Sequence, residues 1–556
     1  MHSKIRFATA ALLAASFIPA FAQSTTAPAP TNQDVQQTLE QLKQLIQQQS
    51  AQIQKQQEEI NALENKHPVQ PPPGTPIPVP GASSSTSTSN APAAVAAPVT
   101  GGAVVTPQPN GTPYQGYGEE APLFLKLGNA TFTPGGWIDF TSIYRTTDVG
   151  SGFTTSLGSI PFNNTTAGGL SENRLTAANS RVSLRIDENI GKIKAYGYAE
   201  ADFNGYLPGN VYVSTNSDSL RLRVFYMNLS AGKWDLLGGQ SWSLITPNRS
   251  GLSPFLSEIY NTVHLDTAYN AGIVYARQAQ LRLVYHARPN VAFGLSIENP
   301  EQYSGSAATF PAAFSTTETD TNSASTSGSG GVATPNLHPD VVAKLALDHK
   351  FGTRNWHIEA AGLLTPVAIA TTATTTKPSV KDQREGGGAT LNLNFEVVKG
   401  LHLIADSFWS DGGGRYIGGL GPQFVVAQYG STSAPLTAQL VHAGAGLGGF
   451  EYQATKKTLI SAIYGADYFD RVSSIDPSTN KLVGYGFVGS ANSNNRTIQE
   501  GTFSTVTNLF RKPSYGAIQL ITQFSYIVRT PWYVAPGTPK NAHLFENYFD
   551  IRYVLP

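Results

Sequence analysis

Polar and apolar residues alternate along most of the chain from about residue 122 onward. In residues 181–187 every odd position is polar and every even position is apolar, and similar alternations occur at 391–397 and 548–555. A period of two with one polar face predicts β-strands that are buried or lipid-facing on one side only. The alternation fits a soluble β-sandwich and a membrane barrel equally well.

The connections between these strands favour the membrane barrel. Short turns, such as those near 188–192 and 398–400, alternate with long segments rich in Gly, Ser, Thr and Asn, such as 146–178, 299–337 and 365–386. Outer-membrane barrels have this topology, with short periplasmic turns and long external loops, whereas a soluble sandwich has no reason to keep every second connection long. The sequence therefore predicts an all-β transmembrane barrel.

The same rhythm predicts the number of strands. The segment Tyr269–Arg277 resembles a strand, but as a wall strand it would place the long 299–337 connection among the short turns. When it is assigned to the third long connection, Leu244–Ala276, the barrel has about 16 antiparallel strands, an even number as bacterial barrels require. A third loop of this length is large enough to fold into the lumen and narrow it, which we state as a hypothesis.

Three segments of different composition precede the predicted barrel (122–556). Residues 1–22 combine a basic start, an apolar run and Ala20-Phe21-Ala22, and they are typical of a cleaved secretory signal. Residues 33–66 contain an apolar heptad repeat without Gly or Pro and predict an α-helical coiled-coil stalk, with a solvated single helix as the alternative. Residues 67–121 are rich in Pro, Ser and Gly and predict an extended linker.

Composition and missing motifs exclude several other classes of protein. Lys plus Arg equal Asp plus Glu at 37 each, which argues against a nucleic-acid partner. The chain has no Cys, and no zinc-hydrolase, nucleophile-elbow or phosphate-loop motif occurs. We therefore expect no enzyme activity, no cofactor and no metal. A hydrolase with a Ser/His pair on the barrel wall is a third class that lipid or ester turnover would reveal.

Charged residues on the polar faces of the strands are the candidate pore lining. Arginine suits carboxylate solutes because its planar fork binds both oxygens, and a cation facing lipid at mid-depth costs about 2–4 kcal/mol, so these side chains should point inward. The alternative is that the arginines only brace the wall as ion pairs with its acidic residues. The candidates are Arg181, Arg185, Glu200, Asp202, Arg221, Arg223, Gln240, Arg249, Arg277 and Arg282.

The segment 180–243 resembles the DcaP-like porin family. The resemblance is specific over about residues 132–300 and only architectural elsewhere. The residues that carry it are Ser180-Arg181, Gly191-Lys192, Glu200-Ala201-Asp202-Phe203, Leu220-Arg221-Leu222-Arg223 and Gly239-Gln240-Ser241-Trp242-Ser243. This resemblance implies a homotrimer of 16-stranded barrels in the outer-membrane lipid, with the stalk in the periplasm. It also implies passive uptake of small solutes, with dicarboxylate-type anions favoured.

Two other functions remain open from the sequence. Arginine-lined barrels also resemble phosphate-selective porins, so phosphate is an alternative solute. The stalk and the Pro-rich linker are also compatible with a structural barrel that joins the outer membrane to peptidoglycan and transports nothing.

Overall fold

The computed structural model describes residues 124–556, apart from 206–218, 256–257, 261–263, 267–269, 305–306, 315–337, 371–380, 419 and 513. The predicted signal peptide, coiled coil and linker lie outside the described residues. Helical turns in the described part are short 3₁₀ segments at Leu157–Ser159, Ala167–Gly169 and Gly414–Tyr416. No helix among these residues is long and apolar enough to cross a membrane.

The described residues form 22 β-strands. In chain order they are β1 (Leu125–Leu127), β2 (Ala130–Arg145), β3 (Glu172–Thr176), β4 (Arg181–Ile190), β5 (Ile193–Asp202), β6 (Arg221–Ala231), β7 (Trp234–Trp242), β8 (Arg277–Arg288), β9 (Val291–Glu298), β10 (Asp340–Phe351), β11 (Arg354–Ala370), β12 (Lys381–Val398), β13 (Leu401–Asp411), β14 (Phe424–Gln428), β15 (Leu436–Leu440), β16 (His442–Gln453), β17 (Thr458–Phe469), β18 (Val472–Asp476), β19 (Lys481–Tyr485), β20 (Asn495–Lys512), β21 (Gly516–Pro531) and β22 (Ala542–Val554).

Sixteen of these strands form the wall of a closed antiparallel barrel, which confirms the predicted number. They are β2, β4 to β13, β16, β17 and β20 to β22, and each pairs with the next in the chain. The barrel closes where β22 pairs with β2, from Trp137↔Val554 to Arg145↔Glu546. Strand β4 pairs with the first half of β2, and the short strand β3 pairs with the second half. Strands β3 and β4 therefore occupy one position in the wall. The pairs β14–β15 and β18–β19 are separate hairpins within long loops.

Short and long connections alternate around the barrel as predicted. The short turns contain two to four residues, and three of them begin with a glycine: Gly191, Gly232 and Gly352. These glycines have φ angles of 62°, 62° and 66°, a left-handed conformation that tight hairpin turns require and that other residues rarely adopt. Every short turn lies at one end of the barrel and every long loop at the other.

One predicted loop is shorter than expected. The sequence pattern placed a long connection at 365–386, but β11 and β12 remain paired as far as Ala370↔Lys381. The extension packs against the β14–β15 hairpin: Val367 and Ile369 share an apolar cluster with residues of that hairpin. This tertiary packing stabilises strands in a stretch whose Thr-rich composition favours a loop.

The two faces of the wall differ in chemistry. Outward-facing side chains such as Phe140 and Trp409 are exposed and apolar, whereas their inward-facing neighbours Asp139 and Ser410 are polar and buried. A barrel in lipid needs this arrangement, because the outer surface contacts hydrocarbon while the inner surface faces water or other polar groups. The inner face is therefore where candidate functional residues gather.

Candidate functional site in the barrel lumen

Five of the predicted residues form one ion-pair network on the inner face of β4, β5 and β6. The oxygen Oε1 of Glu200 lies 3.0 Å from Arg181 Nη1 and 2.6 Å from Arg223 Nε. The oxygen Oδ2 of Asp202 accepts from Arg223 Nη1 at 2.9 Å and from Arg221 Nη2 at 2.8 Å. Strand register brings the five together, because Asp202 lies opposite Arg181 on one side and Arg221 on the other.

A β-bulge in β6 places Arg223 at the centre of this network. Glu200 pairs with Val224 while Ala201 pairs with Leu222, so Arg223 is the extra residue of the bulge. Bulges redirect side chains in this way. Arg223 and Val224 are both buried, and Phe225 is exposed on the outer face. The inward face of β6 therefore changes from odd to even positions at the bulge.

A second ion-pair network adjoins the first on β2 and β22. Arg552 Nη2 lies 2.7 Å from Asp139 Oδ2 and 3.1 Å from Asp550 Oδ2. The guanidinium groups of Arg181 and Arg552 lie 4.1 and 4.7 Å from the centroid of the Trp137 ring, which links the two networks. Together the networks hold four arginines and four carboxylates, so their formal charges balance.

Arg282 on β8 has a different environment. Its Nε and Nη2 donate to Gln280 Oε1 at 3.0 and 2.8 Å, and Nη2 also donates to the carbonyl oxygen of Trp242. No carboxylate of the described residues forms an ion pair with this buried arginine. Arg277 and Arg223 lie 5.4 and 6.0 Å from the Trp242 ring centroid, so three arginines surround this tryptophan. The hydrogen-bond acceptors of Arg282 are therefore neutral, and the carboxylate of Glu298 acts on its charge only from beyond ion-pair distance.

Arg185 lies apart from the networks and nearer the short-turn end of the barrel. Its Nη2 lies 2.6 Å from Asp187 Oδ1, and both side chains are more than a third exposed. The guanidinium lies 4.4 Å from the Phe255 ring centroid and 5.0 Å from that of Tyr196. Phe255 belongs to the third loop, so Arg185 borders the space beside that loop.

Gln240 is placed on the outer face, contrary to the prediction that it lines the pore. It lies in register with Phe225 on β6 and Ala279 on β8, whose side chains are exposed outside the barrel. It also shares the parity of Leu236, another exposed residue of β7. Its amide donates to the carbonyl oxygen of Arg223 at 3.0 Å. Pairing with outward residues of both neighbouring strands is the physical reason for the outward position, although the alternation does not extend to Trp242, which has the same parity and is buried.

The third loop, residues 243–276, enters the lumen and binds the wall strands β10, β11 and β16. The backbone N of Asn248, in the first half of the loop, donates to Glu359 Oε1 on β11 at 3.0 Å. Arg249 donates to both carboxylate oxygens of Glu451 on β16, at 2.7 and 3.0 Å. Lys344 on β10 lies 2.7 Å from Glu359 Oε1 and donates to Asn248 Oδ1 at 3.0 Å. The first half of the loop is therefore held by buried, charge-assisted bonds.

The second half of the loop contacts the wall strands β20 and β21. His264 Nε2 lies 3.1 Å from Glu500 Oε1. The backbone N of Leu265 donates to Gln523 Oε1 at 2.6 Å. Within the same loop, burial raises the pKa of the Glu258 carboxyl above its usual range. The described parts of the loop thus reach from the β10–β11 side of the lumen to the β20–β21 side.

A glycine in the wall lets the loop backbone approach β17 directly. Gly272 N donates to Asp467 Oδ1 at 2.8 Å. A Cβ on Gly465 would lie 1.8 Å from the carbonyl oxygen of Ala271, a distance that no side chain tolerates. Glycine within a strand is expected where another backbone packs closely. The loop therefore rests on the wall at this point without an intervening side chain.

The acidic residues that hold the loop were missed by sequence reasoning. They are Glu359, Glu451, Asp467 and Glu500, together with the cation Lys344. The available signal was their parity, since each occupies an inward position of an alternating strand. No group of three or more His, Asp or Glu side chains in the described ranges is arranged to hold a metal ion.

Comparisons with known proteins support the fold and do not identify a family by sequence. No protein-family model and no curated protein sequence matches the chain. Among solved structures, the outer membrane channel DcaP of Acinetobacter baumannii is 16% identical, and the match covers 78% of this chain and 100% of that chain with a TM-score of 0.54.

Two further matches are weaker. The anion-selective porin from Comamonas acidovorans is 11% identical over 76% of this chain and 99% of that chain, with a TM-score of 0.41. The outer membrane protein OmpT of Vibrio cholerae is 10% identical over 78% and 99%, with a TM-score of 0.40. The resemblance to DcaP-like porins that the sequence predicted is confirmed as a resemblance of fold. The chain has the porin-like fold of an outer-membrane channel.

Proposed function

We propose that the protein is an outer-membrane porin through which small hydrophilic solutes diffuse passively, with dicarboxylate-like anions favoured. The observation that carries the proposal is the closed barrel, whose exposed outer face is apolar and whose inner face is charged. Such a wall satisfies its backbone hydrogen bonds in lipid and offers polar groups to a solute inside.

Arg282 supports the preference for anions, because no described carboxylate lies within ion-pair distance of this buried guanidinium. The neighbouring networks are balanced in formal charge, so Arg282 contributes positive potential that no described carboxylate cancels by an ion pair. A guanidinium binds both oxygens of a carboxylate, and it also binds phosphate, which remains the alternative solute.

Reversal potential across a salt gradient tests this preference. In planar bilayers we expect the refolded protein to pass chloride in preference to potassium and to show current block by succinate at lower concentrations than by inorganic phosphate. A stronger block by phosphate would support the alternative solute. A cation-selective current that neither anion affects would contradict the proposed selectivity.

The proposal includes a homotrimer whose predicted coiled coil, residues 33–66, lies in the periplasm. An apolar heptad repeat needs partner helices, because a lone helix is marginally stable in water. Deletion of residues 23–66 should leave barrels that conduct but dissociate at a lower temperature, as measured by native gel electrophoresis after heating. Unchanged resistance of the trimer to heat would contradict the role of the stalk.

One observation favours a second candidate, a structural barrel that links the outer membrane to peptidoglycan without transport. The third loop crosses the lumen from β7 and β8 and is bonded to the far wall at β16 and β20, which narrows any path through it. A folded protein that remains silent in bilayers while its stalk binds isolated peptidoglycan would support this candidate over the porin.

A further inference from the structure

Two arginines and a tryptophan gather where the wall meets the long loops, outside the lumen. Arg471 follows β17, Arg496 lies at the start of β20, and Trp532 follows β21. The guanidinium carbons of Arg471 and Arg496 lie 5.5 and 5.7 Å from the centroid of the Trp532 ring. The antiparallel meander brings these three strand ends together, so two positive charges act on one small volume.

Neither arginine has a charged partner within the described part of the chain. Both residues are exposed, and no ion pair or side-chain hydrogen bond to a described residue involves either guanidinium. The neighbouring carboxylate of Asp470 instead accepts from the hydroxyl of Tyr468 at 3.1 Å and from the backbone N of Arg471 at 2.8 Å. The two guanidinium groups keep their hydrogen-bond donors available for a ligand.

The tryptophan between them is held in place by the protein. Its Nε1 donates to the carbonyl oxygen of Phe469 at 2.9 Å, and its backbone N donates to that of Asn494 at 2.9 Å. Its ring packs on the backbone of Gly486, where a Cβ would lie 2.7 Å from the indole Cδ1. The indole is therefore a fixed platform, and the arginines are positioned by contact with it.

This cluster is continuous with the lipid-facing aromatic surface. The rings of Tyr468 and Trp532 lie 6.3 Å apart, and Trp409 stacks on Tyr468 at 6.5 Å with an interplanar angle of 9°. Trp409 is 61% exposed on the outer face. Aromatic girdles of barrels lie at the membrane interface, so Arg471 and Arg496, just beyond the girdle on the long-loop side, lie at the depth of lipid headgroups.

We propose that Arg471, Trp532 and Arg496 form a binding site for the phosphorylated headgroup of a lipid in the outer leaflet. Two guanidinium groups without carboxylate partners match the charge and geometry of phosphate, which arginine binds bidentately. The adjoining aromatic surface contacts the apolar part of the same lipid. The site lies outside the barrel and is independent of the solute path.

Lipid binding to the full-length protein tests the proposal. The folded protein in detergent is titrated with bisphosphorylated lipid A, and bound lipid is counted by native mass spectrometry. We expect Arg471→Gln/Arg496→Gln to weaken binding at least tenfold and Arg471→Lys/Arg496→Lys to retain part of it. The control Lys481→Gln/Lys540→Gln removes two exposed cations from the same end of the barrel and should bind as the wild type does.

Further arms of this titration identify the ligand. Lipid A stripped of its phosphates should bind the wild-type protein as weakly as intact lipid A binds the Gln double variant. Wild-type affinity in that double variant would overturn the site, and equal binding of the phosphate-free lipid would overturn its phosphate chemistry. Displacement of lipid A by inorganic phosphate at comparable concentration would overturn the assignment to a lipid. Unchanged conductance of the Gln double variant would show that it is folded.

Discussion

The ion pairs on β4, β5 and β6 differ from the ion pairs and hydrogen bonds of the third loop in how far their partners lie apart in the chain. Arg223 and Glu200 are separated by 23 residues, and Arg221 and Asp202 by 19. By contrast, Arg249 and Glu451 are 202 residues apart, and Leu265 and Gln523 are 258 apart. The first set joins neighbouring strands, whereas the second joins a loop to strands across the lumen.

This difference separates two uses of charge in one barrel. Pairs between neighbouring strands brace the wall and leave the lumen as wide as the barrel allows. Pairs between the loop and the far wall determine where the loop lies and therefore how wide the path is. We therefore expect the wall pairs to affect mainly stability and the loop contacts to affect conduction as well.

Removing the loop's carboxylate partners should have the largest effect. In Glu359→Gln/Glu451→Gln, the buried cations Lys344 and Arg249 lose their partners, at a cost of about 3–5 kcal/mol for each broken buried pair. We expect the loop to detach and the single-channel conductance to rise, with more current noise. A matched change in the wall, Glu200→Gln, should destabilise the barrel without raising conductance. Equal conductance in the two variants would show that the loop contacts do not determine the width of the path.

Filling the space under the loop should have a smaller effect. A methyl group in Gly465→Ala would collide with the carbonyl oxygen of Ala271, and overpacking of this kind costs about 1–3 kcal/mol. The temperature at which the barrel unfolds on heated gels should fall, and the conductance should change. Gly362→Ala is the control, since a Cβ there meets nothing within 4 Å. Equal heat resistance in both variants would show that the loop does not rest on Gly465.

The sequence predicted the barrel, and it offered ion pairs within the wall as the alternative to pore-lining arginines, because both depend on local patterns. Alternation identified the inward arginines of β4 and β6, and the rhythm of turns and loops identified 16 strands. The bulge at Arg223 was not predictable, because nothing in an alternating pattern marks an extra residue. Gln240 was misplaced although its parity with Leu236 was available.

The loop contacts were not predictable for a different reason. In the sequence, nothing distinguishes Glu359, Glu451 and Glu500 from other inward charges. The loop residue that contacts each of them depends on the path of a 34-residue connection. Length and position indicated that the third loop was able to enter the lumen. The wall partners of the third loop are determined by how strands far apart in the sequence are arranged around it.

Neutralising Arg282 should change selectivity at a smaller cost in stability than breaking the wall network. Because Arg282 forms no ion pair with a described carboxylate, Arg282→Gln removes hydrogen bonds to neutral acceptors only, and the reversal potential should shift toward cation preference. The double variant Arg221→Gln/Arg223→Gln should also shift it, but with loss of heat resistance because Glu200 and Asp202 lose partners. Identical reversal potentials for wild type and Arg282→Gln would show that Arg282 does not act on the solute path.

The smallest effect is expected at Arg185. Its pair with Asp187 is partly exposed, and exposed ion pairs contribute about 0–1 kcal/mol. The unfolding midpoint of Arg185→Gln in urea should therefore lie close to that of the wild type. A loss as large as that of Glu200→Gln would place Arg185 among the structural braces of the wall.

Current through single molecules in a planar bilayer shows whether the charged inner face surrounds a water-filled path beside the third loop. For the refolded full-length protein, we expect stepwise openings in groups of three, with steps that grow in Glu359→Gln/Glu451→Gln. A protein that is folded, as shown by heat-modifiable mobility, yet silent in both forms would show that no such path exists.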